Sequence, residues 1–283
     1  MPQQLKIVAS PVEEFEIPAS DGYQLYSSLL NIMQSSNKEI SNHTHDSPIS
    51  SISLSMLKGP FKKSKRAKYK IVCPKYEYDF TIGITDPKEI EIFKTIVKPL
   101  ILSEENIPLN DNILKISEVS SSDVSFDEIV RSVIEYSKPA ITFHFSSPTN
   151  IQYKNSKVSE MFPHREAVFN SLLSKWNAVC PVELKMNIER DEMARYIMER
   201  PYPSSYTTHS VMVNTVFDKF KGHYRPILKH GFTGKCSYIF TNDAPKDLKN
   251  AILILSKFAE FSGVGSAVSR GCGCVNINIY EGK

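Results

Sequence analysis

The sequence predicts an α+β protein in which the order β-α-β-β-α-β occurs twice. Three observations support this: strands with alternating apolar residues, amphipathic helices between them, and a serine-rich stretch near the middle of the 283-residue chain. A hydrophobic content of 41% is sufficient for a buried core, and the length suits two domains. We therefore expect a first domain at 1–130 and a second at 138–283.

The first half contains four predicted strands and two predicted helices. The strands are expected at 5–9, 51–57, 76–84 and 113–119, and alternation of apolar residues is strictest from 76 to 84. Asp21 is the expected N-cap of the first helix, in which Tyr26, Leu29 and Met33 fall on one face. Asp86 is the expected N-cap of the second helix, which ends or kinks at Pro99.

The second half repeats this order of elements without repeating the sequence. Strands are predicted at 140–145, 209–217, 236–240 and 275–280, with helices around 168–176 and 245–261. Residues 177–208 are extra to the pattern and are expected to include a short helix near 190–199. The serine-rich stretch within 120–138 predicts the boundary. Both halves therefore have the order of the ferredoxin-like fold, which RNA-binding RRM modules share.

Composition excludes several classes of protein. The net charge of +3 gives no global argument for nucleic-acid binding, so the local distribution of charge matters more. The five cysteines are odd in number and lack CxxC spacing, which favours a reduced compartment. No signal peptide and no apolar run of membrane-spanning length is found. We expect a cytoplasmic protein without a membrane partner.

The segment GVGSAVSRGCGC at 263–274 is rich in glycine and contains one basic residue, Arg270. It follows a predicted helix and precedes the last strand, the reverse of a dinucleotide-binding loop, and no GK[ST] follows it. A nucleotide cofactor is therefore not expected. Its pairs Gly263/Gly265 and Gly271/Gly273 predict a close approach of another backbone, with free amides and Arg270 facing phosphate oxygens.

The stretch FAEFSGVGSAVSRGCG strongly resembles the C-terminal glycine-rich loop of the CRISPR repeat-specific endoribonucleases, a branch of the repeat-associated mysterious protein superfamily. Other stretches resemble further blocks of that family: SPTNIQY with VFNSLLSKWN, THSVMV with GFTGKCSYIF, and DGYQLYSSLLNIM with HTHD. The resemblance spans nearly the whole chain. By it, the chain is identified as a member of that family.

The resemblance implies cleavage of CRISPR precursor RNA within its repeats. The RNA's own 2′-hydroxyl attacks, leaving a 2′,3′-cyclic phosphate and a 5′-hydroxyl, with no metal or other cofactor. The implied partners are precursor and mature CRISPR RNA, while effector-complex subunits and a homodimer are left open. The alternative function is a non-catalytic RNA-binding subunit of a CRISPR complex. A third, weaker alternative is a metal-dependent phosphoesterase.

His43 and His45 are the first catalytic candidates. They lie in the polar stretch SNHTHDSP, predicted as a loop, and residues two apart in an extended chain point the same way. Two imidazoles in one cleft can act as base and acid near neutral pH. The resemblance places the family's principal histidine at His45, whereas His43 alone is equally consistent with a solvated loop.

Tyr26 is the third catalytic candidate. The position aligned with the family's tyrosine is Leu30, and Tyr26 stands one helical turn earlier on the same face. A core role for Tyr26 is equally consistent with the pattern. The family's lysine is not in place, since Ser50 and Ser51 stand near its position and Lys58 is the first lysine after the histidines.

The alternative interpretation of the HTHD motif is a metal site. His43, His45 and Asp46 could begin a ligand set, but the remaining histidines are scattered at positions 144, 164, 209, 223 and 230. We expect no metal.

Two basic segments are candidates for binding RNA. Residues 58–70 carry seven lysines and arginines and no acidic residue, and a basic hairpin of this kind favours phosphate binding. The RNA-binding candidates there are Lys58, Lys62, Lys63, Lys65 and Arg66. A looser group follows in the second half, where the family has a hairpin that grips an RNA stem: Lys221, Arg225, Lys229 and Lys235.

Overall fold

The computed structural model describes residues 1–282 except 48–49, 104, 134–135, 153–155 and 157. Tyr153, the last residue of the family-like stretch SPTNIQY, lies outside the described residues. The chain forms two groups of strands and helices, each around its own cluster of buried apolar side chains. None of the described helices is long and apolar enough to cross a membrane.

The first half is built on a five-stranded antiparallel sheet with the order β3-β6-β1-β8-β7. A separate three-stranded sheet has the order β2-β5-β4. The elements are β1 (Gln3–Pro11), β2 (Phe15–Pro18), α1 (Gly22–Ser36), α2 (Lys38–Asp46), β3 (Ile52–Leu54), β4 (Lys62–Lys63), β5 (Tyr69–Val72), β6 (Tyr78–Ile84), α3 (Glu89–Val97), β7 (Ile107–Leu109) and β8 (Asn112–Asp123).

Neither predicted N-cap aspartate caps its helix through its side chain. Asp21 precedes α1, but its carboxylate is fully buried, where Lys70 Nζ lies 2.7 Å away and the amide of Leu57 donates to it. The helix α3 begins only at Glu89, three residues beyond Asp86. Both carboxylates therefore tie separate segments together, a role that local sequence cannot indicate.

The strand β3 is shorter than predicted and is covered on both faces. Its alternating serines suggested one solvent-facing side, yet Ser51, Ser53 and Ser55 are all buried. The hydroxyl of Ser53 donates to the carbonyl of Phe261 in the second half, at 2.6 Å. The second half thus packs on the face that the pattern assigned to solvent.

The second half has a sheet with the order β12-β14-β9-β15, and β13 pairs with the first part of β14. Its helices α5 and α7 belong to the buried cluster of this half, where Trp176 and Phe258 meet edge to face. The elements are α4 (Phe126–Arg131), β9 (Pro139–Thr149), β10 (Ile151–Gln152), β11 (Ser159–Glu160), α5 (Arg165–Val179), α6 (Arg190–Tyr196), β12 (Ile197–Pro201), β13 (Thr207–Asp218), β14 (His223–Phe240), α7 (Lys246–Ser262) and β15 (Val275–Glu281).

The second strand of this sheet differs from the prediction. The strand predicted at 209–217 does pair with the strand that follows it, but through residues 223–233 of β14, and β12 lies beside 236–240. Because β14 is 18 residues long, its first part extends beyond the core sheet and forms a hairpin with β13. The sequence pattern does not predict β12, because this strand is short, carries Glu199 and Arg200, and ends in Pro201.

The serine-rich stretch predicted as a domain boundary is mostly strand. It lies in β8, which pairs with β1 as far as the Gln3–Asp123 pair. Next, Ser125 and Glu128 form a capping box that begins α4, and this helix places Ile129 in the buried cluster of the second half. Serines on an exposed sheet edge and serines in a linker produce the same composition.

Candidate functional site

The two candidate histidines lie on α2, and the prediction of an extended loop is wrong. The side chain of Asn37 accepts a hydrogen bond from the amide of Ile40 and begins this helix. Residues two apart on a helix point about 200° apart. His43 and His45 therefore do not point the same way.

His43 is held by a buried carboxylate that the sequence reasoning missed. Its Nε2 lies 3.1 Å from both carboxylate oxygens of Asp86. Burial raises the pKa of Asp86, but hydrogen bonds from Ser51, the amide of Lys88 and His43 outweigh it and hold this pKa below its ordinary value. A charged Asp86 orients the imidazole and leaves Nδ1 for another partner. The only sequence signal was an aspartate directly after a buried strand, and it was assigned to a helix cap.

His45 lies at the end of α2 and is the more accessible histidine. Its side chain is 56% exposed, and its Nδ1 lies 3.0 Å from a carboxylate oxygen of Asp46. The exposed Asp46 can orient the ring while its other nitrogen meets a substrate.

Tyr26 joins α1 to the glycine-rich loop. It is 4% exposed, and the guanidinium carbon of Arg270 lies 5.2 Å from its ring centre. Burial raises the pKa of Tyr26; Arg270 and a hydrogen bond with Ser269 oppose this, and Asp46 adds to it. Tyr26 therefore stays protonated near neutral pH. Tyr26 and Arg270 therefore form one pair that links α1 to the glycine-rich loop.

The glycine-rich loop packs tightly against α1. Its glycines 263, 265, 271 and 273 all have positive φ, between 62° and 83°. Gly22, the first residue of α1, faces Arg270 and Gly271 so closely that a Cβ on Gly22 would lie 2.4 Å from the carbonyl oxygen of Arg270. The loop therefore does approach another backbone closely, and that backbone belongs to α1 of the same chain.

Most of the predicted phosphate-facing amides are occupied. The amides of Gly263, Gly265 and Gly273 donate to the carbonyl of Ala259, the hydroxyl of Ser171 and the carbonyl of Pro148. The prediction of free glycine amides is wrong at these three positions, because the folded loop satisfies them internally. Arg270 differs, since its Nε is buried and has no hydrogen-bond partner in the described part of the chain.

The basic segment 58–70 divides into three environments. Lys62 and Lys63 form β4, where both are exposed, and Lys62 pairs with Glu14. Beyond them, Lys65 and Arg66 lie in the turn before β5, and the guanidinium of Arg66 stacks 3.8 Å above the ring of Tyr69.

Lys58 and Lys70 lie apart from this exposed group. Lys58 pairs through its backbone with Asp79. Burial lowers the pKa of His144, and the charges of Lys235 and Lys58 lower it further, so these lysines lie near the sheet of the second half. Lys70 is largely buried against Asp21 and Phe61. Only the lysines and arginine between them form an exposed basic hairpin.

A second exposed surface lies at the end of the β13–β14 hairpin. Phe220 is fully exposed, and the rings of Phe217 and Tyr224 meet with their centres 5.2 Å apart. Of the predicted basic group, Lys221, Arg225 and Lys229 lie in the turn or on β14 of this hairpin, whereas Lys235 lies where β14 pairs with β9.

Within the described residues, no cluster of three or more His, Cys, Asp and Glu side chains is arranged to hold a metal ion.

Comparison with known proteins finds similarity to one kind of enzyme. Residues 143–275 match the family model of the CRISPR-associated endoribonuclease Cas6. A curated CRISPR-associated endoribonuclease Cas6 from Streptococcus thermophilus is 26% identical over 197 residues, which cover 69% of this chain and 72% of the relative. The chain is therefore similar in sequence to Cas6 endoribonucleases.

Solved Cas6 structures share its fold over nearly the full length. A product complex of a Thermus thermophilus Cas6 (TTHB231) superimposes with a TM-score of 0.70 at 18% identity, covering 98% of this chain and 99% of that one. A Cas6-related protein from Pyrococcus furiosus superimposes with a TM-score of 0.65 at 15% identity and the same coverage. The first half of the chain, which carries the histidines, is therefore within the shared fold.

Proposed function

We propose that this chain is a Cas6-type endoribonuclease that cleaves CRISPR precursor RNA within its repeats, without a metal, through its own histidines. The supporting observation is that α2 carries His45 and an Asp86-bound His43 and packs on α1, which carries Tyr26 beneath Arg270. These residues include proton-transfer groups and one cation, the kinds of group that phosphodiester transesterification needs. The resemblance to the family also implies that the reaction needs no metal.

In the proposed reaction a base accepts one proton from the RNA and an acid donates one proton to it. A base removes the proton of the 2′-hydroxyl, the 2′-oxygen bonds to phosphorus, and the bond from phosphorus to the 5′-oxygen breaks. An acid protonates the leaving 5′-oxygen, which gives a 2′,3′-cyclic phosphate and a 5′-hydroxyl. Arg270 stabilises the charge that grows on the phosphate oxygens.

The different carboxylate partners of the two histidines suit them to separate roles. With charged Asp86 accepting from Nε2–H, the unprotonated Nδ1 of His43 can accept the 2′-proton. His45, beside the carboxylate of Asp46, is then the acid for the leaving oxygen. Tyr26 with its raised pKa serves as a hydrogen-bond donor rather than a base.

We further propose that both halves are ferredoxin-like domains, at 1–130 and 138–283. The orders β3-β6-β1-β8 and β12-β14-β9-β15 each place the first and third strands of the repeat at the centre of the sheet. The packing of Ile129 and Val133 in the buried cluster of the second half supports placing the end of the first domain before α4 rather than at residue 130.

RNA is proposed to contact the exposed basic hairpin, Arg270 and the β13–β14 hairpin. The exposed candidates Lys62, Lys63, Lys65 and Arg66 suit contacts to phosphate. A cytoplasmic location, effector-complex subunits and a second copy of the chain stay predictions from the sequence.

The decisive experiment incubates purified protein with repeat RNA in excess EDTA. We expect fragments whose masses correspond to cyclic-phosphate and 5′-hydroxyl ends, and strong loss of cleavage in His45→Ala and in His43→Ala. Wild-type protein that binds the RNA without cutting it would support the RNA-binding subunit instead. Cleavage by His45→Ala as fast as wild type would refute the mechanism.

The two roles can be separated with an RNA that has sulfur in place of the bridging 5′-oxygen. A thiolate leaves without protonation, so loss of the acid matters little for this substrate. We expect His45→Ala to cleave it at nearly the wild-type rate and His43→Ala to stay slow. The opposite pattern would exchange the roles of the two histidines.

A further inference from the structure

The helix α5 holds the start of the glycine-rich loop through two side chains one turn apart. The hydroxyl of Ser171 accepts a hydrogen bond from the amide of Gly265 at 2.9 Å. The ammonium of Lys175 donates to the carbonyls of Ser262 and Gly263, at 3.0 and 2.8 Å. These carbonyls lie at the C-terminus of α7, where carbonyls lack partners within the helix and a cation is favoured.

The start of the loop is connected to its end. The amide of Val264 donates to the carbonyl of Gly273 at 2.8 Å. Val268 lies against Gly263, since a Cβ on that glycine would be 3.0 Å from its side chain. In the sequence, Arg270 lies between Val268 and Gly273, and its guanidinium lies above the ring of Tyr26.

The ammonium of Lys175 has neutral acceptors only. Burial lowers the pKa of Lys175 to about 7, which indicates that holding a charge there is costly. A methionine of similar length could fill the same space without this cost. The lysine must therefore contribute something other than packing, and both of its hydrogen bonds go to the junction of α7 and the loop.

We propose that Lys175 is a positioning residue for RNA cleavage, fixing the glycine-rich loop so that Arg270 stays over Tyr26. This inference rests on the proposed ribonuclease activity and on the proposed role of Arg270 at the reacting phosphate. Lys175 acts through the loop, and Ser171 supports the same segment from the same helix.

A double-mutant cycle on the single-turnover cleavage rate tests the proposal. We expect Lys175→Met and Arg270→Ala each to slow cleavage roughly tenfold or more, since small misplacements of a reacting group are costly. If Lys175 acts through Arg270, adding Lys175→Met to Arg270→Ala should slow cleavage further by only about twofold. If the double variant is slowed by the product of the two single-variant factors, as expected for independent sites, the proposal is wrong.

Two controls separate this inference from the proposed function. Lys185→Met replaces an exposed lysine just beyond α5 and should cleave at the wild-type rate. Should Lys175→Met not fold, Ser171→Ala replaces it in the cycle. Ser174→Ala is its control, because that hydroxyl donates to the carbonyl of Asn170 within α5. Wild type that does not cut repeat RNA refutes the activity; wild-type cleavage by Lys175→Met or Ser171→Ala refutes this inference alone.

Discussion

The imidazole of His43 lies with Nε2 3.1 Å from both carboxylate oxygens of Asp86, and this contact links α2 to the segment between β6 and α3. Asp86 is itself fixed by the hydroxyl of Ser51 and the amide of Lys88. Such a buried, triply bonded carboxylate fixes both the direction of the ring and the nitrogen that carries the proton.

Asp86→Asn should therefore slow cleavage while leaving RNA affinity nearly unchanged. The amide keeps the shape but loses the charge that holds the proton on Nε2, so we expect the single-turnover rate to fall about tenfold or more. Affinity is measured with an RNA that has a 2′-deoxy substitution at the cleavage position. Asp111→Asn, in the exposed turn between β7 and β8, is the matched control. Full activity of Asp86→Asn alongside a slow His43→Ala would contradict the positioning role.

The same carboxylate predicts a dependence of stability on pH. Burial alone would raise the pKa of Asp86, but its hydrogen bonds leave this pKa below its ordinary value. The stabilisation is thus fully present above the unfolded pKa of about 3.9 and is lost as the pH falls through the lower folded value.

Urea unfolding of wild type and Asp86→Asn measures this dependence. The difference in their free energies of unfolding should shrink as the pH falls from about 5 to below about 4. A difference that grew over this acidic range would mean that the carboxyl is protonated in the folded protein.

The sequence predicted the regular elements well and the side-chain roles less well, for a physical reason. Strand alternation and helix periodicity are local signals, and β1, β6, β8 and α7 lie where they predicted. By contrast, the stretch around His43 is polar and lacks an apolar period, so no periodic pattern predicts its helix. The local signal for this helix is the N-cap Asn37, which accepts a hydrogen bond from the amide of Ile40. Asp86 acquires its partner from a segment 43 residues away, which no short pattern contains.

The fit of the two halves depends on Gly22, which faces the backbone of the glycine-rich loop. A Cβ there would lie 2.4 Å from the carbonyl oxygen of Arg270 and 2.6 Å from the Cα of Gly271. Gly22→Ala should therefore destabilise the protein by about 1–3 kcal/mol or push the loop away from α1, which slows cleavage. Urea unfolding and the single-turnover rate measure both.

Gly222→Ala is the comparison for stability. No atom lies within 4 Å of a Cβ at that position, so it should cost only about 1–2 kcal/mol for its left-handed backbone. Unchanged stability and activity in Gly22→Ala would show that the loop does not need this close contact.

The exposed basic hairpin should account for part of the salt dependence of RNA binding. Each phosphate contact contributes roughly 0.7 to the slope of log affinity against log salt for single-stranded RNA. Lys65→Ala should weaken binding and reduce this slope, because Lys65 is exposed in the turn before β5. Lys62→Ala should change this slope less, since Lys62 is already paired with Glu14.

Lys70→Ala should instead lower the stability of the protein, because it leaves the buried carboxylate of Asp21 without its cation. Filter binding across a salt series, with unfolding curves for each variant, distinguishes these cases; equal slopes for Lys65→Ala and wild type would remove the hairpin from the RNA interface.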